Sequence, residues 1–154
     1  MPGYWLFKSE PDAFGIDDLA AADKLTTRWD GIRNYQARNF IRDKINRDDL
    51  VFFYHSSCKH VGIAGTCTVV SLPYPDPTQF DPSSPYFDSK ATPEKPRWFS
   101  VDISLCERFS NILPVKLLKN TLGLENMMLM KSPRLSIQPV SSDERQLIMK
   151  MVSG

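Results

Sequence analysis

RWDGIRNYQARNF, residues Arg28 to Phe40, compresses a tryptophan, an Asp-Gly pair, three amides and three arginines into thirteen residues. Asp-Gly marks a sharp turn, because glycine takes the conformations that a tight reversal demands. Asn34 is a good N-cap for a helix over Tyr35 to Ile45. Within that segment Ala37, Phe40, Ile41, Lys44 and Ile45 recur at helical spacing, so its apolar side is core, while Arg38 and Arg42 share another face. The stretch therefore reads as extended chain, turn and helix in succession. It puts an aromatic wall beside a helix N-terminus, which suits a flat, polar ligand, with or without a phosphate.

Upstream, Tyr4 to Phe7 is a short aromatic-rich strand that runs into Lys8-Ser9-Glu10, where Pro11 prevents further ladder donation. Ile16 to Ala22 is a short helix with acids in its first turn, and Lys24 to Trp29 is a strand or extended connector. Downstream, Leu50 to Tyr54 is a compact apolar strand ending in His55-Ser56-Ser57. Ser57 to His60 makes a turn of hairpin length, and Val61 to Val70 is a strand bent or bulged near Gly65. Seven of the twelve prolines fall between Leu72 and Pro96, a composition that excludes regular structure and marks a functional or mobile loop. Trp98 to Phe109 alternates apolar with polar residues and is the longest strand. Pro114 opens a helix through Leu118, Asn126 to Met130 is a short apolar run, and Leu135 to Val140 is the last strand. Ser141 or Ser142 caps a terminal helix to Met151, with Asp143 and Glu144 in its first turn. The fold class is mixed α/β: five or six strands with peripheral helices, as a small barrel or twisted sheet, in one domain over residues 1–154.

The net charge of +1 gives no global field to attract a polyanion, so a nucleic-acid partner has to rest on a local patch. One exists between Arg28 and Arg47, where six basic residues oppose two acids, +6 − 2 = +4. A solvated helix face explains that charge equally well. The three cysteines, Cys58, Cys67 and Cys106, are odd in number and lack C-x-x-C spacing, which points to free thiols in a reducing cytosol. No apolar run approaches the roughly 18 residues needed to span a bilayer, and residues 1 to 8 lack an export signal, so a cytoplasmic protein without a membrane partner is expected. Lys8-Ser9-Glu10, Tyr54-His55-Ser56 and Asp102 all place polar groups beside apolar strands. Either each strand end simply reaches water, or the three converge at one mouth of a small barrel.

Taken together, WLFKSEP (Trp5 to Pro11), WDGIRNYQARNF (Trp29 to Phe40), FYHS (Phe53 to Ser56), GIAG (Gly62 to Gly65), Trp98-x-x-Val101-Asp102 and RLSIQPV (Arg134 to Val140) resemble the EVE domain family. The six motifs occur in order over nearly the whole chain. Ile32 stands where the family commonly has valine, and the N-terminal extension of nuclear eukaryotic members is absent, which suggests a stand-alone bacterial form. The resemblance implies a PUA-like pseudobarrel, related to YTH and ASCH domains, and a reader of modified bases, chiefly modified cytosines in DNA.

A base inside a duplex cannot be inspected on all sides, so such a reader needs single-stranded or flipped substrate, at a cost of a few kcal/mol. Aromatic stacking offsets that by about 1 to 3 kcal/mol per base. Trp29, Trp98 and Tyr54 are the candidates, with barrel core as the other role open to both tryptophans. Edge recognition falls to Lys8, Ser9, Glu10, Asn34, His55 and Ser56, with Asp102 at the same mouth. Arg33, Arg38 and Arg42, with the helix N-terminus, are candidates for backbone phosphates, and Arg38 serves equally well as a structural ion-pair partner. The partner implied is nucleic acid carrying a modified base, DNA in preference to RNA, with oligomeric state left open. No cofactor, metal or catalytic residue is expected. The alternatives are an RNA-base reader, a protein-interaction module built on the Pro-rich loop, and a base-modifying enzyme using His55, Cys58 and His60. That last spacing lacks the H-x-E and P-C-x-x-C of zinc deaminases and a fourth ligand. Cys67 and Cys106 read as small core residues rather than nucleophiles.

Overall fold

The aromatic run at the N-terminus forms β1 (Tyr4–Ser9), the first of seven strands in a computed structural model that describes residues 2–153. Met1 and Gly154, the ends of the expected domain over 1–154, lie outside the described residues. Two short helices, α1 (Pro11–Phe14) and α2 (Ile16–Ala20), lead to β2 (Thr26–Trp29) and α3 (Tyr35–Asp43). Then come β3 (Leu50–His55), β4 (Gly62–Val69), the two-residue β5 (Tyr74–Pro75) and the 16-residue β6 (Phe99–Pro114). Helices α4 (Val115–Lys119) and α5 (Met128–Lys131), strand β7 (Ile137–Val140) and helix α6 (Ser142–Ser153) complete the chain.

The strands run in the order β2-β6-β4-β3-β1-β7, with β5 added on β6. Among the described residues only β1 and β3 pair in parallel; the other pairs are antiparallel. The fold is thus mixed α/β, as expected, with one strand beyond the five or six anticipated. The extra strand lies inside the Pro-rich segment, which does hold regular structure: β5 pairs with β6, and Pro77–Phe80 forms a 3-10 turn. Proline is tolerated because β5 is an edge strand, where a missing N–H leaves no ladder bond unmade. β6 continues past Phe109 because its second half pairs with β4 after register shifts at Ile63/Gly65 and Thr66/Cys67.

Side-chain alternation divides the core in two. Trp5, Phe7, Val51 and Phe53 point to one face, where they meet Trp29, Val101, Ile103, α2 and α3. Leu6, Phe52 and Tyr54 point to the other, under Leu118, Leu129 and Ile148 of the later helices. Both faces of β1 and β3 are therefore covered, which is why these strands read as unbroken apolar runs. Helix α3 packs on β6, the second strand of the order, and on β7, its last. Its cap is as predicted, Asn34 Oδ1 accepting the Ala37 N–H at 3.0 Å. At α6 a reciprocal cap joins Ser141 and Glu144, in bonds of 2.9 and 3.1 Å.

The Pro-rich segment is held by two buried polar side chains. Gln79 spends both amide donors on the Asp76 and Trp98 carbonyls, at 2.7 and 2.8 Å, and its oxygen accepts the Arg97 and Trp98 N–H groups. Asp76, 0 % exposed, accepts from the Gly31 N–H at 2.8 Å, Arg33 at 3.1 Å, and the Thr78 N–H and hydroxyl at 2.8 and 2.6 Å. The segment is thereby fastened to the Asp30-Gly31 turn, 45 residues earlier in the chain.

Candidate functional site

Parallel pairing of β1 with β3, and antiparallel pairing of β1 with β7, brings the C-terminal ends of β1 and β3 beside the start of β7. Two backbone bonds of 2.9 Å, Ser56 N–H to the Ser9 carbonyl and Lys8 N–H to the Ser136 carbonyl, close that corner. A cavity of about 810 Å³ opens there, between the strand ends, α1 and the turn after β2. Its size is within the range of small-ligand sites. Lys8, Ser9, Glu10 and Ser56 line it, as expected of converging strand ends, and Trp29 lines it from β2.

Trp29 is both core and cavity wall. The ring is 7 % exposed and packs on Phe7 at 5.4 Å and edge-on to Phe53 at 5.5 Å. Ser9 Oγ donates to the Phe14 carbonyl at 2.6 Å, holding the turn into α1, and the Glu10 carbonyl accepts the first N–H groups of that helix. The Lys8 ammonium donates to the Pro133 carbonyl, and burial lowers its pKa from the ordinary lysine value. Opposite stands Tyr86, 42 % exposed. It sits against Gly31, whose φ of +78° and lack of a side chain are both required: a Cβ there would lie 2.7 Å from the Tyr86 ring.

Five of the expected pocket residues lie elsewhere. Tyr54 follows Phe53 on β3 and so faces the other way, into the core under α4–α6, where burial pushes its phenol up to about 12. His55 is 7 % exposed; its Nε2 accepts the Ile16 N–H at 3.1 Å, and its ring lies edge-on to Phe53. Burial lowers the imidazole pKa, against a weaker opposing effect of Asp17, which favours the neutral form that this bond needs. Trp98 stacks on Tyr35 at 4.9 Å and donates its indole N–H to Asp88 at 2.8 Å. Asp102 accepts the Tyr74 hydroxyl at 2.6 Å, beside β5. Asn34 is committed to its cap and borders a separate hollow with Gln36, Ser132 and Arg134.

The arginines are largely occupied as well. All five guanidinium protons of Arg33 are donated, to Tyr86 O twice, Ile32 O, Asp76 and Thr78. Arg33 therefore secures the turn and the Pro-rich segment rather than presenting a free cation. Arg38 donates to the Arg97 carbonyl at 2.7 Å and to Asn39, and lies over Tyr35. It has no carboxylate partner among the described residues, so its structural role is not the ion pair considered for it. Arg42 makes a two-point contact with Asp43 on the exposed face of α3. Cys106, expected in the core, is exposed, because the second half of β6 lies at the surface; Cys67 is buried. Among the described residues no three of His, Cys, Asp and Glu stand close enough to hold a metal ion. None of the helices described is long and apolar enough to cross a membrane.

The cavity also contains residues that periodicity did not single out: Phe14, Arg28, Asp30, Tyr86 and Arg134. Arg28 and Asp30 pair at 3.1 Å on its rim. Arg134 carried a signal, since it opens RLSIQPV; Tyr86, in a loop without periodicity, carried none.

The sheet topology, helix α3 packed on β6 and β7, and the strand-end cavity are those of a PUA-like pseudobarrel. Within that class the chain belongs to the EVE domain family, whose sequence pattern matches residues 3–151. Human thymocyte nuclear protein 1 is 39 % identical over 168 residues, 98 % of this chain and 74 % of the relative. The structure of the human THYN1 protein in complex with 5-methylcytosine-containing DNA matches with a TM-score of 0.94 at 38 % identity, over 99 % of this chain and 98 % of that one. A hypothetical protein from Leishmania major matches equally well, TM-score 0.94 at 46 % identity over 99 % and 96 % of the two chains. At the level of fold alone, the YTH domain of Zygosaccharomyces rouxii MRB1 aligns with a TM-score of 0.54 at 12 % identity, over 98 % of this chain and 86 % of that one.

Proposed function

We propose that this protein reads a modified cytosine in DNA, receiving the base in the strand-end cavity without acting on it chemically. The observation that carries the reading is the near superposition, TM-score 0.94, on a relative solved with 5-methylcytosine-containing DNA. The cavity has suitable chemistry. Cytosine offers an exocyclic amino donor, which a carboxylate such as Glu10 accepts. Lys8, with two protons beyond the one given to the Pro133 carbonyl, and the hydroxyl of Ser56 supply donors for the ring acceptors. Phe14, Ile32 and the accessible part of Trp29 give a 5-methyl group apolar surroundings. Tyr86, being exposed, is the stacking surface, and Arg28 and Arg134 on the rim meet flanking phosphates.

Calorimetric titration with matched oligonucleotides, plain or 5-methylcytosine-containing, as DNA and as RNA, tests the reading. Preferential binding of the modified DNA is expected. Equal affinity for all four, or no binding at low salt, would refute it, as would a base-altered product on prolonged incubation.

A further inference from the structure

The turn that supplies one wall of the cavity continues into a second, basic hollow. Ser56 and Ser57 line the cavity; two residues on, Lys59 and His60 line a concavity of about 550 Å³, with Val61, Ser110, Asn111, Ile112 and Lys116 on its other sides. Two local features hold this arrangement. Ser57 takes the left-handed conformation, φ 53°, which turns the chain sharply at the end of β3. Gly62 lets β4 start hard against β6, since a Cβ there would run into the Leu113 carbonyl. Immediately beyond, the Val115 N–H donates to the Val61 carbonyl at 3.0 Å, which sets the first turn of α4, and with it Lys116, beside the Lys59-His60 turn.

The hollow is lined by two lysines and a histidine, together with the Ser110 and Asn111 side chains, and by no acid. None of the three basic groups is ion-paired among the described residues, although five ion pairs are found elsewhere. Nothing in the packing calls for them: all three are exposed. Ser57 and Lys59 are separated by two residues, a reach of about 7 Å at most. That is no more than about two axial rises of roughly 3.4 Å per nucleotide on one strand, so the hollow begins within a nucleotide or two of the Ser57 wall. A strand whose base occupied the cavity and which ran toward this side would bring its next phosphates over the hollow.

We infer that Lys59, His60 and Lys116 form a backbone track that holds the phosphates flanking the recognised base, on the β3–β4 side of the cavity. This rests on the modified-base reading for the position of the strand, and it assigns the backbone to a surface other than the arginines of α3.

The test is the salt dependence of binding by the full chain carrying Lys59→Gln and Lys116→Gln together, with circular dichroism to verify the fold. Each phosphate contact contributes a slope of about 0.9 in log K against log salt on duplex DNA and about 0.7 on a single strand. The double variant is expected to lower the slope by about 1.4 to 1.8, making its affinity loss between roughly 50 and 200 mM salt about 7- to 12-fold smaller than the parent's. Its preference for modified over plain cytosine should not change. The same charge change at Lys24 and Lys150, neither of which lines cavity or hollow, should leave the slope alone. An unaltered slope in the Lys59/Lys116 variant, with base preference intact, overturns the track and spares the base reading. A lowered slope in the double variant, with a parent that shows no base preference, overturns the base reading and keeps the backbone on this surface. A parent that binds no oligonucleotide overturns both.

Discussion

Replacing Asp76 by asparagine removes the charge on which the Asp30-Gly31 turn and the Pro-rich segment converge. The carboxylate receives four hydrogen bonds, two on each oxygen. An amide cannot reproduce this pattern: its NH₂ must face either the Gly31 N–H and Arg33, or the Thr78 N–H. Either orientation leaves a buried backbone donor without an acceptor, at about 1 to 3 kcal/mol. Breaking a buried ion pair costs about 3 to 5 kcal/mol. Arg33 is 23 % exposed and keeps its carbonyl partners, so the lower end applies. The expected loss is about 3 kcal/mol, or about 6 to 12 °C in Tm for a chain of this size. Thermal and urea unfolding followed by circular dichroism measure it. Burial pushes the Asp76 carboxyl up, but bonds from Thr78, Gly31 and Arg33 outweigh burial and hold it below the usual carboxylate range. With the folded pKa depressed, its stabilisation is complete above the unfolded value of about 3.9 and is lost as pH falls through the folded value. The gap between parent and variant should therefore narrow below about pH 4. A loss under about 0.5 kcal/mol at neutral pH, the level of an ordinary surface substitution, would refute the anchoring role.

Trp29→Ala should cost about 3 to 5 kcal/mol, because it empties the space between Phe7 and Phe53, so chemical denaturation will register it before any binding assay can be interpreted. Tyr86→Ala should show the reverse balance: a stability loss of about 1 kcal/mol in unfolding curves, but an affinity loss of about 1 to 3 kcal/mol for modified DNA in calorimetry. His55 carries a pKa lowered by burial, so stability is complete above the unfolded value of about 6.5 and falls as pH drops below it. His55→Gln, whose side-chain oxygen can accept the same Ile16 N–H, should flatten the stability profile below about pH 6.5 in urea unfolding.

Local chemistry is well recorded in the sequence. The Asn34 cap, the apolar face of α3, the bend of β4 near Gly65 and the capped terminal helix each depend on residues a few positions apart. Convergence of Lys8-Ser9-Glu10 with Ser56 was legible too, because polar ends on apolar strands tend to meet once the strands pair. Which neighbours meet which face was not. Tyr54 and His55 adjoin Ser56, yet one turns into the helix-covered core and the other spends its nitrogen on Ile16. Arg33 looked like a free cation until Asp76 and Tyr86, 43 and 53 residues away, consumed its donors. Asp102 and Trp98 likewise found partners in the Pro-rich segment.

The α/β class, the main strands and helices and the family were legible in the residues alone, because alternation and capping are properties of short spans and the six motifs are read directly in order along the chain. Which polar groups stay free to meet a ligand emerged from the packing. A hydrogen bond satisfied by a distant residue leaves no trace in the local pattern, and every donor so committed is lost to the cavity. The Trp29 to Phe40 stretch thus contributes Trp29 and the turn at Gly31 to the cavity wall, while its arginines hold the turn, the Pro-rich segment and the face of α3.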